Sequence, residues 1–239
     1  MYNAIRNTGA VFNTIDINGN SIGSRASAAI NFTAANSSSQ FLIYNTGGAS
    51  SANLSISNND FQNVNYAAAN GTGGVTFISN TAVTISQSII SNSFTNLNVQ
   101  TIGSNVFITN TVIVPSAGYQ NVNNNFISGT YTKKAGGIVT CLTSTATCAT
   151  GSTININNNN FSNITVRGAT VLNGLVNIDA GSSLKTIQGN IFTNWTGGTS
   201  AVTPITVNLT GTANATTGNI IRNISSAGTI AGITTGAGN

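Results

Sequence analysis

Asp16, Asp60 and Asp179 are the only acidic residues in the chain, which has no glutamate and no histidine. Two carboxylates that cleave a glycosidic bond must sit within about 5–10 Å of one another. The chain carries a repeat of roughly thirty residues; Asp60 and Asp179 are separated by more than three of its periods, and Asp16 and Asp60 by more than one, so the spacing predicts no such pair. Asp60 reads most simply as an outward or turn residue in place of an asparagine. Serine and threonine are abundant, but no histidine is present to act as their base. Lys133 and Lys134, the only adjacent basic pair, have no acid in their own loop and read either as a solvated edge or as a contact for an anionic glycan or surface. Cys141 and Cys148 enclose C-L-T-S-T-A-T-C, read as a disulfide closing a short extracellular loop or as two buried thiols. No tetrahedral metal-ligand set can be assembled from these residues, and no cofactor is expected.

Aromatic side chains supply the remaining candidates. Tyr66 and Tyr131 come shortly after copies of the repeat motif, and Trp195 directly follows the motif asparagine Asn194. Rings beside polar loops can stack on sugars or anchor a partner; they can equally cover the seam where a loop leaves the body. Tyr66, Tyr131, Lys133, Lys134 and Trp195 are therefore the candidate surface contacts.

These residues are placed by a repeating element, N-x-F/I-x-N/S. Its copies are Asn59, Phe61, Asn63; Asn92, Phe94, Asn96; Asn124, Phe126, Ser128; Asn159, Phe161, Asn163; Asn190, Phe192, Asn194; and Asn219, Ile221, Asn223, with central positions 33, 32, 35, 31 and 29 residues apart. Glycine pairs at 47–48, 73–74, 136–137 and 197–198 recur between them. The intervening segments are short period-two runs rich in Ile, Val, Thr and Phe, while strong helix formers are scarce. Such a repeat specifies stacked similar units.

Three short strands per unit predict an all-β, single-stranded right-handed parallel β-helix, a β-solenoid, forming one domain over residues 1–239. Each strand pairs with its equivalent in the coils above and below. Phe61, Phe94, Phe126, Phe161, Phe192 and Ile221 are predicted to form one internal column, beside a corner ladder of Asn59, Asn92, Asn124, Asn159, Asn190 and Asn219. At about 4.8 Å per coil, seven to nine coils make a rod roughly 35–40 Å long. The variable stretches 64–73, 97–103, 129–137 and 164–173 are expected to project as loops. A β-sandwich would also accommodate short strands, but it gives no reason for aromatics to recur at one offset from asparagine.

Composition narrows the function. The chain has 239 residues, 40% of them apolar, and only ten charged side chains with a net charge of +4. Its pI near 9.4 reflects few acids rather than many bases, and so sparse a basic content argues against a nucleic-acid partner. No apolar run is long enough for a transmembrane helix. Asn3, Ile5 and Asn7 form a degenerate motif at the start, which predicts a segment of a longer repetitive protein, and the uncharged stretch 225–239 offers no cap, which predicts end-to-end or lateral self-association.

Phe61-Gln62-Asn63 followed by Gly73-Gly74-Val75 is similar to the F-x-x-N and G-G-A-I repeats of chlamydial polymorphic outer-membrane proteins, but departs from both, with one residue between Phe and Asn and with Val or Ile directly after the glycines. More broadly, residues 55–225 resemble the parallel β-helix class of surface adhesins, autotransporter passenger domains, phage tailspikes and polysaccharide-degrading enzymes. With no credible catalytic pair in the sequence, the chain reads as a non-enzymatic, extracellular or cell-surface adhesin, stalk or fibre segment with a glycan or protein ligand. Ice binding and a polysaccharide-active or tailspike fragment are the alternatives.

Overall fold

A computed structural model describes residues 1–25, 29–68, 70–134, 136–144, 147–181, 183–210 and 213–235. The chain is a β-solenoid with three walls, every pairing in which is parallel. The first wall stacks Asn3–Asn7, Gln40–Asn45, Val75–Asn80, Asn105–Asn110, Ile138–Ser144, Val171–Asn177, Val202–Val207 and Ile233–Thr235. The second stacks Thr14–Asn18, Asn53–Ser57, Ser86–Ile90, Tyr119–Asn123, Thr153–Asn157, Leu184–Gln188 and Asn214–Thr217. The third contains Ser21–Gly23, Asp60–Gln62, Ser93–Val99, Phe126–Lys133, Ile164–Val166, Ile191–Thr196 and Ile220–Ser225, with Ile30–Phe32 and Val64–Tyr66 paired alongside.

The corner between the second and third walls explains the motif. A left-handed residue stands first, at Gly19, Asn58, Ser91, Asn124, Asn158, Gly189 and Gly218. The next residue is the ladder asparagine, and from the second coil onward another left-handed residue stands five positions after the first, at Asn63, Asn96, Gly129, Asn163, Asn194 and Asn223. Asparagine and glycine recur because they tolerate positive φ. Each internal ladder amide is fully engaged. Asn59 Oδ1 accepts from the backbone N–H and Nδ2 of Asn20 at 3.1 and 2.8 Å, while its own Nδ2 donates to Asn92 Oδ1 at 2.9 Å and Ile17 O at 2.7 Å. The ladder continues through Asn125, Asn159, Asn190 and Asn219.

The third copy of the motif is therefore corrected by one residue. Asn125, not Asn124, joins the ladder, and Asn124 takes the left-handed place with φ 59°. Phe126 pairs with Ser93 and is 39% exposed, while Ile127 pairs with Phe94 and enters the core. A one-residue shift exchanges the two faces of a strand. The second corner decides between the registers, because Gly129 adopts φ 91° where the alternative would require this conformation of Ser128. Phe61, Phe94, Phe161 and Phe192 are buried as expected, with Ile221 partly buried against them.

Opposite this column, consecutive first-wall residues both face inward, as in Leu42-Ile43, Phe77-Ile78 and Phe107-Ile108. Strict alternation therefore fails at these pairs. Phe61 and Phe94 stack at 5.1 Å, and Phe107 meets Phe94, Tyr131 and Phe161 at 5.1, 5.0 and 6.2 Å. Tyr131 and Phe107 thus supply aromatic contacts in the coil where Ile127 replaces phenylalanine. Each such ring contributes on the order of 1.5–3 kcal/mol by burial.

The variable stretches are shorter as loops than their sequence suggests. Residues 64–66, 97–99, 131–133 and 164–166 continue the third wall, and only the residues after them connect to the first wall. Positions 69 and 135 of these stretches lie outside the described residues. Glycines 73–74, 136–137 and 197–198 all occupy this connection, where coils approach closely: a Cβ on Gly103 would lie 2.4 Å from Thr72 O. Gly47–Gly48 differs, lying after a first-wall strand, with Gly47 against Gly9 and Gly48 against Ile15 and Thr84.

A basic groove as the candidate functional site

Beyond the left-handed corner residue, the third wall regains alternation and carries two columns across the coils. Asn31, Asn65, Asn98, Thr132, Thr165, Thr196 and Ser225 succeed one another on the outside through successive strand pairings. The neighbouring inward column contains Phe32, Tyr66, Val99, Lys133 and Val166. Lys133 is thus a lysine in an otherwise apolar core column, and its side chain is 1% exposed.

Buried carbonyls explain how it fits. At the connection from third to first wall, Thr101 Oγ1 lies 2.7 Å from Gly73 O and also reaches Gly71 O, its single proton serving one of them at a time, and Ser226 Oγ donates to Gly198 O at 2.9 Å. Thr170 Oγ1 lies 2.8 Å from Arg167 O and 3.3 Å from Gly136 O. Lys133 Nζ donates to Gly103 O at 2.9 Å and to Thr101 O. A charge performs a task that hydroxyls perform in other coils. Among the described residues Lys133 has no carboxylate partner, and burial pushes its pKa down to about 8.

The residue after each inward position lies at the rim, in the order Ala67, Gln100, Lys134, Arg167. A groove of about 370 Å³ is lined by these four together with Asn98, Thr132 and Lys133. Lys134 and Arg167 are exposed, and neither side chain has a hydrogen bond or ion pair among the described residues. Gln100 Nε2 donates to Asn98 Oδ1 at 2.6 Å and Thr132 O at 3.1 Å, which fixes the rim. Three of the chain's seven basic residues therefore meet in one groove.

The remaining candidates lie elsewhere. Tyr66, Tyr131 and Trp195 are buried, contrary to a role as surface contacts. Their polar tips are bonded inside: Tyr66 Oη accepts from the Asn36 N–H at 3.1 Å, Tyr131 Oη from Asn105 Nδ2 at 2.6 Å, and Trp195 Nε1 donates to Phe161 O at 2.7 Å. Lys133 is likewise the groove's floor rather than a surface group, so Lys134 alone of the five candidate contacts is exposed.

Cys141 and Cys148 are two buried thiols rather than a disulfide. Cys141 points inward from the first wall, and Cys148 lies in the following connection, where its backbone N–H donates to Asp179 Oδ1 at 2.8 Å. Burial raises both thiol pKa values, that of Cys148 to about 11.

The three carboxylates are not brought together. Asp16 is on the second wall and Asp60 on the third, where it accepts from Ser93 Oγ at 2.6 Å. Asp179 is buried beside Lys185 with an N–O distance of 3.4 Å. Asp179 also accepts from the Gly181 N–H and Ser183 Oγ, while Lys185 donates to the carbonyls of Asp179, Asn208 and Thr210. Among the described residues no three metal-ligating side chains cluster, and no helix is long and apolar enough to cross a membrane. A larger recess of about 580 Å³ opens at the first coil among Tyr2, Ile5, Asn20, Ile22 and Ile30, without a charged lining residue.

Sequence reasoning missed Arg167, Gln100 and the Asp179–Lys185 pair. The available signals were a spacing of one coil between Lys134 and Arg167, and an acid six residues before a base. No protein-family model matches the chain, no curated protein matches its sequence, and no solved structure matches its fold.

Proposed function

We propose that this chain is a structural and adhesive segment of an extracellular or cell-surface solenoid. The observation that carries the reading is axial continuity. Three parallel walls are joined from coil to coil by backbone pairing and by the Asn20-to-Asn219 ladder. A second ladder links Asn7, Asn45, Asn80 and Asn110 inside the rod, with each amide contact at 2.7 Å. Pulling along the axis loads many hydrogen bonds together, as suits a stalk or fibre. The outward residues of the second wall are predominantly neutral amides and hydroxyls, including Asn53, Ser55, Asn121, Asn155 and Thr186. With no disulfide formed, the extracellular setting rests on this surface and on the motif resemblance to adhesins.

The test is attachment by cells or beads displaying the chain. Replacing the connections between third and first walls, one at a time, with short Gly-Ser linkers should reduce attachment at one connection while circular dichroism stays β-rich. Undiminished attachment after every connection had been replaced would sink the adhesive reading.

Ice binding is favoured by one specific feature. Thr109, Thr143, Val176, Thr206 and Thr234 form a register-matched column on the first wall, beside Thr76, Val106, Asn173 and Thr203, while Ser79 and Thr140 in the same columns are buried. Thermal hysteresis at high protein concentration would support this second reading, and its absence would end it.

A further inference from the structure

We propose that the groove over Lys133 binds a sulfate or carboxylate of an acidic polysaccharide between Lys134 and Arg167. The inference deepens the adhesive reading, on which its biological setting rests, by assigning the ligand's chemical class.

Three observations converge. First, Lys134 and Arg167 occupy the same rim position on adjacent coils, whose backbones are separated by about 4.8 Å. Two cationic side chains at that separation can reach one oxyanion, with the guanidinium offering a planar pair of donors. Both side chains lack a protein partner among the described residues. Second, Lys133 lines the same groove, and its ammonium is buried against Gly103 O and Thr101 O. It caps carbonyls that Thr101, Thr170 and Ser226 show can be capped by neutral hydroxyls. Its charge is therefore dispensable for capping, and an anion overhead would compensate it. Third, the three acids lie outside the groove lining, so no carboxylate there competes for the cations.

The surroundings favour a saccharide. Asn65, Thr132, Thr165 and Thr196 extend a neutral column along the groove, offering hydrogen-bonding groups to sugar hydroxyls over several coils. A nucleic acid would present a phosphate at every nucleotide to only three basic side chains, whereas a polysaccharide with spaced acidic groups matches one localised cluster.

Binding to immobilised dextran sulfate, polygalacturonate, neutral dextran and a single-stranded DNA oligonucleotide tests the inference. The parent chain should bind at least one acidic polysaccharide and not neutral dextran, with affinity falling as salt rises. Lys134→Ala combined with Arg167→Ala should weaken that binding by about tenfold or more. Arg6→Ala with Arg222→Ala removes two exposed charges elsewhere, and should leave it within about twofold. Preference for dextran sulfate or polygalacturonate identifies the acidic group as sulfate or carboxylate. Failure of the parent to bind either, equal losses in both double variants, or equally tight DNA binding with the same dependence on Lys134 and Arg167 would overturn the inference. Attachment measured in parallel separates the two readings. If attachment requires a connection but no acidic polymer binds, the groove inference falls alone; if acidic polymer binds but attachment survives every replacement, the adhesive reading falls alone.

Discussion

Lys133 and Lys185 are both lysines in inward columns, and both end among backbone carbonyls, yet their charges have different fates. Lys185 meets Asp179, whose remaining capacity is taken by backbone N–H groups and Ser183. That site is closed. Lys133 meets carbonyls alone and lies beneath two unpartnered cations at a groove. The same side chain can therefore complete a core or leave a field at a surface, according to whether the fold delivers a counter-charge.

The sharpest break in this comparison is Asp179→Ala. It strands the Lys185 ammonium and two backbone donors, and should lower unfolding free energy by about 3–5 kcal/mol in urea titration. An uncharged closed network provides the next step. Asn125→Ala removes ladder bonds to Asn92, Asn159 and Ile89 and should cost about 3 kcal/mol, whereas neighbouring Asn124→Ala should cost about 1 kcal/mol through left-handed strain. The reverse order would restore the register in which Asn124 belongs to the ladder.

Lys133→Met should change stability at pH 7 by no more than about 1 kcal/mol, since lost carbonyl contacts and relieved desolvation oppose one another. Its effect should depend on pH. The folded-state pKa of Lys133, about 8, lies below the ordinary 10.5. Between these values the unfolded chain binds more protons at this residue, so its unfavourable contribution is full below pH 8 and fades as pH rises towards 10.5. Buried Cys141 and Cys148 act in the opposite sense above their ordinary value of 9.0. The difference between parent and Lys133→Met isolates the lysine: parent stability should gain relative to the variant across that interval. A flat difference would remove the evidence for a desolvated charge beneath the groove. Smallest of all, combined Lys134→Ala and Arg167→Ala should alter stability by less than about 0.5 kcal/mol, separating any loss of ligand binding from loss of fold.

Much of the architecture is legible because burial and corner chemistry recur once per coil. Asn59, Phe61 and Asn63 announce a left-handed corner and a core position without reference to any other segment. Asn124-Asn125 followed by Phe126-Ile127 satisfies two registers, and the choice requires the corner at Gly129. Tyr66 and Trp195 suggest binding groups only if the chain beyond the corner is a loop. Resumed strand pairing turns them inward. The inner ladder also leaves a trace in the dipeptides Asn7-Thr8, Asn45-Thr46, Asn80-Thr81 and Asn110-Thr111, but their spacing drifts as the connections vary in length.

By itself the sequence determined a stack of parallel coils, a core rich in phenylalanine and a surface with little charge, since these arise from local conformational preference repeated at nearly constant intervals. Only the tertiary structure decided which residues meet across coils. Lys134 beside Arg167, Lys133 beneath them and Asp179 against Lys185 depend on where variable connections bring the chain back into register, and electrostatic interaction is set by that separation and burial rather than by residue type alone.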